Sequence, residues 1–522
     1  MSSDPTAPAG APPPTRARRT SLKKGALLNW LSLAVHFVAT FVVTPIIIRK
    51  LGNAGFGTWA LIQSFSGYYG LVNLGLGSAL LRSITHDLAT HRYGSLQTTL
   101  STAVRFFAAT GGGVMLLGAA LAVPAAGFFG VPAPEVTAFA VTLILAAGSV
   151  VLDFFGSVTT SVVNACERFD LLNYLNIGRQ LAQTGGTLLV LWIHPSVVGI
   201  AAVIFVVSLS SLGLGIILAR RLLPEVSLLR PGFDRGRLDE LLAYGKSTVL
   251  LTVSNVVRLR LGNVIIAKFA GVAAVAGYSV AVSLITNFST VISSSLGVLN
   301  ARFTRLHAQA EHAEMAKLYR TSLFASSAMA CGLGTGMILF GEKFIHLWVG
   351  KTLPEAVPVL HALVIAYILA LAQSPGWNLM FALSKHHFMA RVTAVESAAN
   401  IALGVWLAAR YGAVGFAWAT AATMILTKVT VQPVYSARIG GLSTASYLAP
   451  MAAPFAAAAA LAAVWYGAGL HTAILRGGPG TFVLAGAGYA LAFGLLVLLP
   501  NLHRDFMPPF VGKVLGRLKL RR

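Results

Sequence analysis

Residues 244–271 read YGKSTVLLTVSNVVRLRLGNVIIAKFAG. The run is long and apolar enough to cross a bilayer, yet Arg258 and Arg260 interrupt it. Counted from Ser247 at a rise of about 1.5 Å per residue, Arg258 falls roughly 16 Å into a hydrocarbon core about 30 Å thick. A guanidinium at that depth is tolerated where it faces a watery cavity or a counter-charge, so by default it marks a substrate or ion path. The expected fold is therefore a set of membrane-spanning helices around a polar interior.

Composition supports that reading. Of 522 residues, 56% are hydrophobic and 11% charged, with a mean hydropathy of +0.75, whereas a soluble protein carries about 25% charged residues. The net charge of +23 comes from 39 Lys and Arg against 16 Asp and Glu. In a soluble chain this excess would suggest nucleic acid. Here the basic residues sit mostly in short loops between apolar runs, the topology signal of membrane insertion, so nucleic acid is not expected as a partner. Cys166 and Cys331 have no CxxC or metal-ligand neighbour and read as packing residues.

Residues 1–25 are rich in Pro, Ala and Ser and then basic. They read as a disordered cytoplasmic tail rather than a signal peptide. About fourteen apolar runs follow, each near 20 residues, too long for barrel strands and suited to helices, so the expected fold is an all-α polytopic membrane protein. With the N-terminus inside, most Lys and Arg fall on the side of the two termini, Arg179 among the loop residues. The other side keeps Arg49, Lys50, Lys268, Lys343, Lys351, Arg410 and Arg476. This bias predicts a multi-pass protein of the cell (inner) membrane with both termini cytoplasmic.

An internal repeat organises the runs. IIIRKLGNAGFGTWAL (46–61) resembles VIIAKFAGVAAVAGYSVAV (264–282), matching Lys50 to Lys268 at an offset of 218. NACERFDLLNYLNIGRQLAQ resembles FALSKHHFMARVTAVESAAN, matching Arg168 to Lys385 and Gln183 to Asn400 at 217, and VVGIAA aligns with AVGFAW, Gly199 to Gly415, at 216. The pattern predicts two pseudo-symmetric six-helix lobes, 26–222 and 243–438, joined by a cytoplasmic linker at 223–242. Two further helices at 439–500 and a basic tail at 501–522 lie outside the repeat. An even helix number per lobe makes the lobes parallel, related by an axis along the membrane normal.

Polar residues line up along single helical faces. Asn29, Ser32, His36, Thr40 and Thr44 form one stripe, and Gln63, Ser66, Gly70, Asn73 and Gly77 a second. A third runs through Ser149, Asp153, Gly156, Thr160 and Asn164. On the arginine-bearing run, Ser247, Ser254, Asn255, Arg258 and Gly262 share one face, while Arg260 points roughly the other way. Substrate contact is therefore expected first from Arg258, with Asn255, Asn29, His36, Gln63 and Asn73 around it and Arg260 as a weaker candidate. The alternative for Arg258 is a structural partner such as Asp153. Arg105 and Lys428, one to two turns inside the cytoplasmic boundary, read either as a phosphate-receiving vestibule or as snorkelling side chains.

The segment LGNAGFGTWALIQSFSGYYGLVNLGLGSALLRSI resembles the signature of the polysaccharide biosynthesis and export family. GNVIIAKFAGVAAVAGYSVA and ALGVWLAARYGAVGFAWATA are similar to its mid-chain and late motifs, so the resemblance spans residues 26 to 436. This superfamily holds O-antigen flippases, the lipid II flippase and the MATE multidrug exporters. The resemblance implies translocation of an undecaprenyl-pyrophosphate-linked oligosaccharide through a central cationic cavity that alternates its opening, serving cell-surface polysaccharide synthesis. It implies a lipid-linked glycan as substrate, membrane lipids around it and the polysaccharide polymerase machinery as a partner. Family members commonly carry Asp where this chain has Asn73 and Asn263. Asp153 and Glu396 then remain as ion-coupling candidates, with proton or sodium coupling left open and no other cofactor or metal expected.

The residues agree with the resemblance on independent grounds. Arginine donors meet phosphate oxygens through strong charge-assisted bonds, and the stripes offer amides and hydroxyls to sugars. The alternative is a cation-coupled, MATE-like multidrug exporter, whose cavity should be acidic. No P-loop, HExxH motif or large soluble loop is present, so no enzyme is expected.

Overall fold

The computed structural model describes residues 22–70, 76–226, 232–297 and 299–501, with the helical backbone alone over 22–27, 69–70, 244–259 and 473. The chain is an all-α membrane protein, and no strand occurs among the described residues. The first half comprises α1 (Leu22–Gly70), α2 (Leu76–Ala89), α3 (Tyr93–Phe128), α4 (Val136–Ala165), α5 (Phe169–Ile193) and α6 (Val197–Leu222). The second comprises α7 (Arg235–Ala270), α8 (Val272–Ser295), α9 (Leu299–Ala308), α10 (His312–Val349), α11 (Ala356–Ala372), α12 (Pro375–Ala382) and α13 (His387–Ile439). After them come α14 (Thr444–Gly467), the short α15 (Leu470–Arg476) and α16 (Pro479–Leu498).

Among the described residues nine helices are long and apolar enough to cross a membrane, or ten if α11 and α12, bent by 43°, form one broken span. Reaching the expected fourteen from ten requires four further spans. Gly52 in α1 and Gly412 in α13 leave helical geometry (φ 74° and 58°), so each long helix folds as two segments. The other two spans would be α5 and α7, whose polar faces and arginines hold their hydropathy down.

The repeat is written into the backbone. Left-handed residues recur in the same order in both halves. Gly52 (φ 74°) matches Gly271 (φ 84°), His91 (55°) Ala310 (56°), Gly130 (66°) Gly350 (68°) and Glu167 (55°) Ser384 (55°). The spacings lie between 217 and 220, within a few residues of those read from the side chains. Most are helix stops of one kind. The amide after the left-handed residue bonds the carbonyl five positions back, as Arg92 N to Asp87 O (2.9 Å), Arg168 N to Val163 O (3.2 Å) and Lys385 N to Met380 O (2.8 Å). Such a stop satisfies carbonyls that the helix end leaves unpaired.

Packing follows the halves. The helix α4 lies against α3 and α6, and α5 against α1 and α6, while in the second half α7 lies against α13 and α11 against α8, α10 and α13. The seam is made where α1 meets α7 and α8. A methyl on Gly57 of α1 would run into the Val272 carbonyl at the start of α8, so backbone touches backbone there. Both α14 and α16 rest on α10. The start of α7 is capped by Asp234, whose side chain accepts from Arg237 N at 3.0 Å. It docks on the first half through Arg237, 3.4 Å from the buried Asp87 carboxylate.

Ala310 holds a left-handed conformation with a Cβ, is exposed and has no polar side chain to compensate. Replacing it with glycine should stabilise the protein by about 1 kcal/mol, read as a higher unfolding midpoint in detergent. An unchanged or lower midpoint would count against the strain assigned to this stop.

Candidate functional site

The sequence-predicted residues distribute over three elements. On α1, Asn29 and His36 are exposed and Gln63 is half-buried. His36 Nδ1 lies 3.3 Å from Gln180 Oε1 on α5, so the α1 stripe faces the polar side of α5. Asn73 falls outside the described residues. Asn255 and Arg258 sit on the α7 backbone at the register positions expected, their side chains outside the description. Arg260 turns out to bridge the seam. A Cβ built on Gly67 of α1 would stand 3.2 Å from its Cγ and 3.3 Å from its Nε. The guanidinium arm thus lies over Gly67 beside Tyr68, whose buried hydroxyl makes no hydrogen bond with the described residues.

Both intramembrane carboxylates carry cations. Asp153 on α4 pairs with Arg179 on α5 at 2.8 Å, and the same nitrogen donates to Ser208 Oγ of α6 at 3.0 Å. Asp153 thus has a cation partner in Arg179, while the side chain of Arg258 lies outside the described residues. Arg179 is not a loop residue, because α5 begins at Phe169 and places it well inside the helix. Glu396 on α13 lies 3.3 Å from Lys428 Nζ, with side-chain exposures of 1% and 5%, and Thr427 Oγ1 also donates to it. Lys428 is thus neither vestibule nor snorkel. It is buried in the second half, where its backbone carbonyl accepts from Gln373 Nε2 at 2.9 Å.

Arg179 and Glu396 occupy matching positions of the repeat, 217 residues apart. Each half thus clips its fifth span to a neighbour by an ion pair, with the charges exchanged. The sequence offered a signal for this, since the Arg168–Lys385 alignment already carries Arg179 onto Glu396. Asn263, where family members carry Asp, is also structural. Its Nδ2 donates to Ala60 O (3.2 Å) and Ser64 Oγ (2.8 Å) on α1, and its Oδ1 accepts from Ser279 of α8 at 3.2 Å. A carboxylate there would face the Ala60 carbonyl with no proton to give.

On the side of the bundle opposite the start of α1, basic residues meet across the seam. Arg49, ending the first segment of α1, donates from Nε to Val349 O (2.8 Å) and from Nη2 to Trp348 O (3.2 Å) at the C-terminus of α10. Lys351 returns to Ile48 O (3.3 Å) and Arg49 O (3.1 Å). In the mirror position, Lys268 at the end of α7 donates to Phe128 O at the C-terminus of α3 (3.2 Å) and lies 4.1 Å over the Phe128 ring.

A cavity of about 690 Å³ lies along the seam between α1, α8, α10 and α16. Phe37 and Phe41, Leu284 and Phe288, Phe340 and Phe344, and Tyr489 and Phe493 make it almost wholly apolar. Neither this cavity nor the bond from His36 to Gln180 was visible in the polar stripes, since both depend on which helices become neighbours. Among the described residues no group of His, Cys, Asp and Glu could hold a metal ion.

A family model described as polysaccharide biosynthesis protein matches residues 46–358. Several solved structures share the fold. The lipid II flippase MurJ in an inward closed conformation aligns at 12% identity with a TM-score of 0.66, covering 92% of this chain and 100% of its own. A multidrug resistance MATE family transporter in an inward-facing conformation aligns at 12% identity and 0.64, covering 78% and 98%. A superfamily transporter from Pyrococcus furiosus, described by a binding pocket of reverse polarity, aligns at 11% identity and 0.58, covering 81% and 97%. No curated protein matches.

The buried pair yields a test. Lys428→Met or Glu396→Gln alone strands one charge in the bilayer interior and should destabilise by about 3 kcal/mol, whereas Lys428→Met with Glu396→Met should lose much less. Unfolding of the three variants in detergent decides. Equal losses in all three would mean that the pair contributes little as a pair.

Proposed function

We propose, from the premise that this chain belongs to the polysaccharide biosynthesis protein family, that it is a flippase for an undecaprenyl-pyrophosphate-linked oligosaccharide. Family and fold together make it a multi-pass membrane flippase or transporter, and its structural neighbours are transporters rather than enzymes. The finer reading places it in the cell (inner) membrane with both termini cytoplasmic, supplying surface polysaccharide synthesis and its polymerase machinery.

The observation that carries the reading is the division made by α1. His36 looks toward α5, while Phe37 and Phe41 line the apolar cavity closed by α8, α10 and α16. A substrate that is charged and glycosylated at one end and isoprenoid at the other fits both sides of one helix. The headgroup would travel past Arg258 and Arg260, with Asn255, Gln63 and Asn73 as sugar contacts. Arginine suits this role because its planar fork meets phosphate oxygens with two donors at once. A cation exporter needs accessible negative charge, and here both intramembrane carboxylates face cations. As pieces of helix-clipping ion pairs, Asp153 and Glu396 serve the rigidity of each lobe better than ion transport.

Alternating access then consists of the two lobes rocking about the seam. The closure by Arg49, Lys351 and Lys268 holds the face opposite the termini shut, which leaves loading to the cytoplasmic side.

Two experiments test these statements. A strain lacking the protein should lose surface polysaccharide, and Arg258→Ala or Arg260→Ala should restore it about tenfold less well than the wild type at equal expression, the loss of one charge-assisted contact. Undiminished polysaccharide in the deletion strain refutes the assignment. For the closure, Arg49→Ala with Lys268→Ala should raise labelling of Phe41→Cys by a membrane-impermeant thiol reagent by about tenfold, added from the face opposite the termini. Labelling that stays at background would show that other contacts hold the seam.

A further inference from the structure

A second cavity opens on the side of the bundle where α1 begins. It measures about 350 Å³ and lies between the last turns of α2, Arg92 immediately before α3, and the start of α7, which is room for a small ligand. Its lining is polar and basic. Arg82, Arg92 and Arg237 outnumber Asp87 and Glu240, and His86 stands beside them. Both carboxylates are already engaged. Asp87, only 2% exposed, accepts from Ser95 Oγ at 2.9 Å and lies 3.4 Å from Arg237 Nη2 and 3.5 Å from His86 Nδ1. Glu240 accepts from Arg237 Nη1 at 2.7 Å.

The repeat supplies an internal comparison. At the spacing that matches His91 to Ala310, Arg92 corresponds to Glu311 and Ser95 to Glu314. In the second half a glutamate therefore caps α10 and another sits in its first turn, where unpaired amides and the helix dipole favour negative charge. The first half reverses this. Arg92 is the capping residue of α3, and the first turn of that helix holds no acidic residue. A positive charge at a helix N-terminus is unfavourable unless an anion offsets it, and here the cation borders a cavity with two further arginines.

We propose that this cavity binds a phosphate group, with Arg92 as its central contact and Arg82 and Arg237 on either side. Guanidinium forks meet phosphate oxygens through charge-assisted bonds, two donors at a time. Because α2 and α3 lie in the first half and α7 opens the second, the bound phosphate ties the halves together on this side of the bundle, opposite the contacts of Arg49 and Lys268. The assignment does not depend on what the central path carries. Two sources offer the group, the headgroup of an anionic lipid and a soluble phosphate.

The test uses the full chain in phosphatidylcholine nanodiscs, with and without dioleoyl phosphatidic acid. Inorganic phosphate is titrated against chloride at constant ionic strength, and the unfolding midpoint is read. In phosphatidylcholine alone the midpoint of wild type should rise saturably with phosphate. Arg92→Gln should need about tenfold more phosphate for the same rise, the loss of one charge-assisted contact. Arg92→Glu, which gives α3 the start that α10 already has, should unfold at a higher temperature without phosphate and no longer respond to it. Higher stability with lost response separates a binding site from a structural one. Nanodiscs with phosphatidic acid identify the source. A midpoint already raised there, and unmoved by inorganic phosphate, supports the site and assigns it to a lipid headgroup, whereas an undiminished response to inorganic phosphate supports it and assigns it to a soluble phosphate. A response of Arg92→Gln equal to that of wild type, whatever the other variant does, or no response of wild type to either probe, overturns the proposal.

Discussion

Three carbonyls at helix C-termini, those of Trp348 and Val349 on α10 and of Phe128 on α3, are met by cations that reach them across the seam. A helix end leaves its last carbonyls unpaired and carries partial negative charge, so a basic side chain is the natural partner. Arg49 supplies that partner to α10, and Lys268 supplies it to α3, each from the opposite half. Gly350 matters to the first contact, because its left-handed φ of 68° stops α10 and a Cβ there would meet Arg49 Nη2 at 2.8 Å. These positive charges run against the general bias of the loops. Their place at the seam gives a reason for the exception.

The contrast with the interior bonds is one of strength and reversibility. Contacts to backbone carbonyls at a membrane surface can exchange with water at small net loss, since the donor finds other acceptors there. The ion pair of Glu396 with Lys428 is instead shut away from water, with side-chain exposures of 1% and 5%. Its counterpart, Asp153 with Arg179, is less enclosed, with side-chain exposures of 43% and 33%. The halves likewise meet at two levels: at one face through the exchangeable contacts of Arg49, Lys351 and Lys268, and deeper in the seam through the buried bonds of Asn263 to Ala60 and Ser64.

Much of the architecture was legible because helix stops and apolar runs are local. The repeat could be seen from a few matched residues, and the backbone shows why it survived: the left-handed stops at His91 and Ala310, or Glu167 and Ser384, are fixed by geometry rather than by side-chain identity. Side-chain partnerships were less legible. Arg179 looked like a loop residue since the start of α5 is polar, with Asn173, Asn176 and Arg179 close together. Lys428 looked like a boundary residue because hydropathy says nothing about which neighbouring helix holds a carboxylate. Arg260 was placed off the stripe by the helical wheel of α7 alone. That wheel does not include Gly67 of α1, whose lack of a side chain makes room for the arm.

The seam helix α1 joins these levels. Its inner turns alternate between residues that want water and residues that want hydrocarbon, and the second face would be unremarkable if α1 simply bordered lipid. It borders instead a cavity roofed by α16, a helix outside the repeat, through Tyr489 and Phe493. Tyr489 donates to Gly332 O of α10 at 2.8 Å, which fixes α16 against the second half rather than leaving it free in the bilayer. Helix α16 therefore bounds an apolar space on the far side of a polar helix. On the proposed flippase reading that space would shelter the tail of an amphiphile while its headgroup is drawn inward, a use that a transporter of small hydrophilic or cationic molecules does not have.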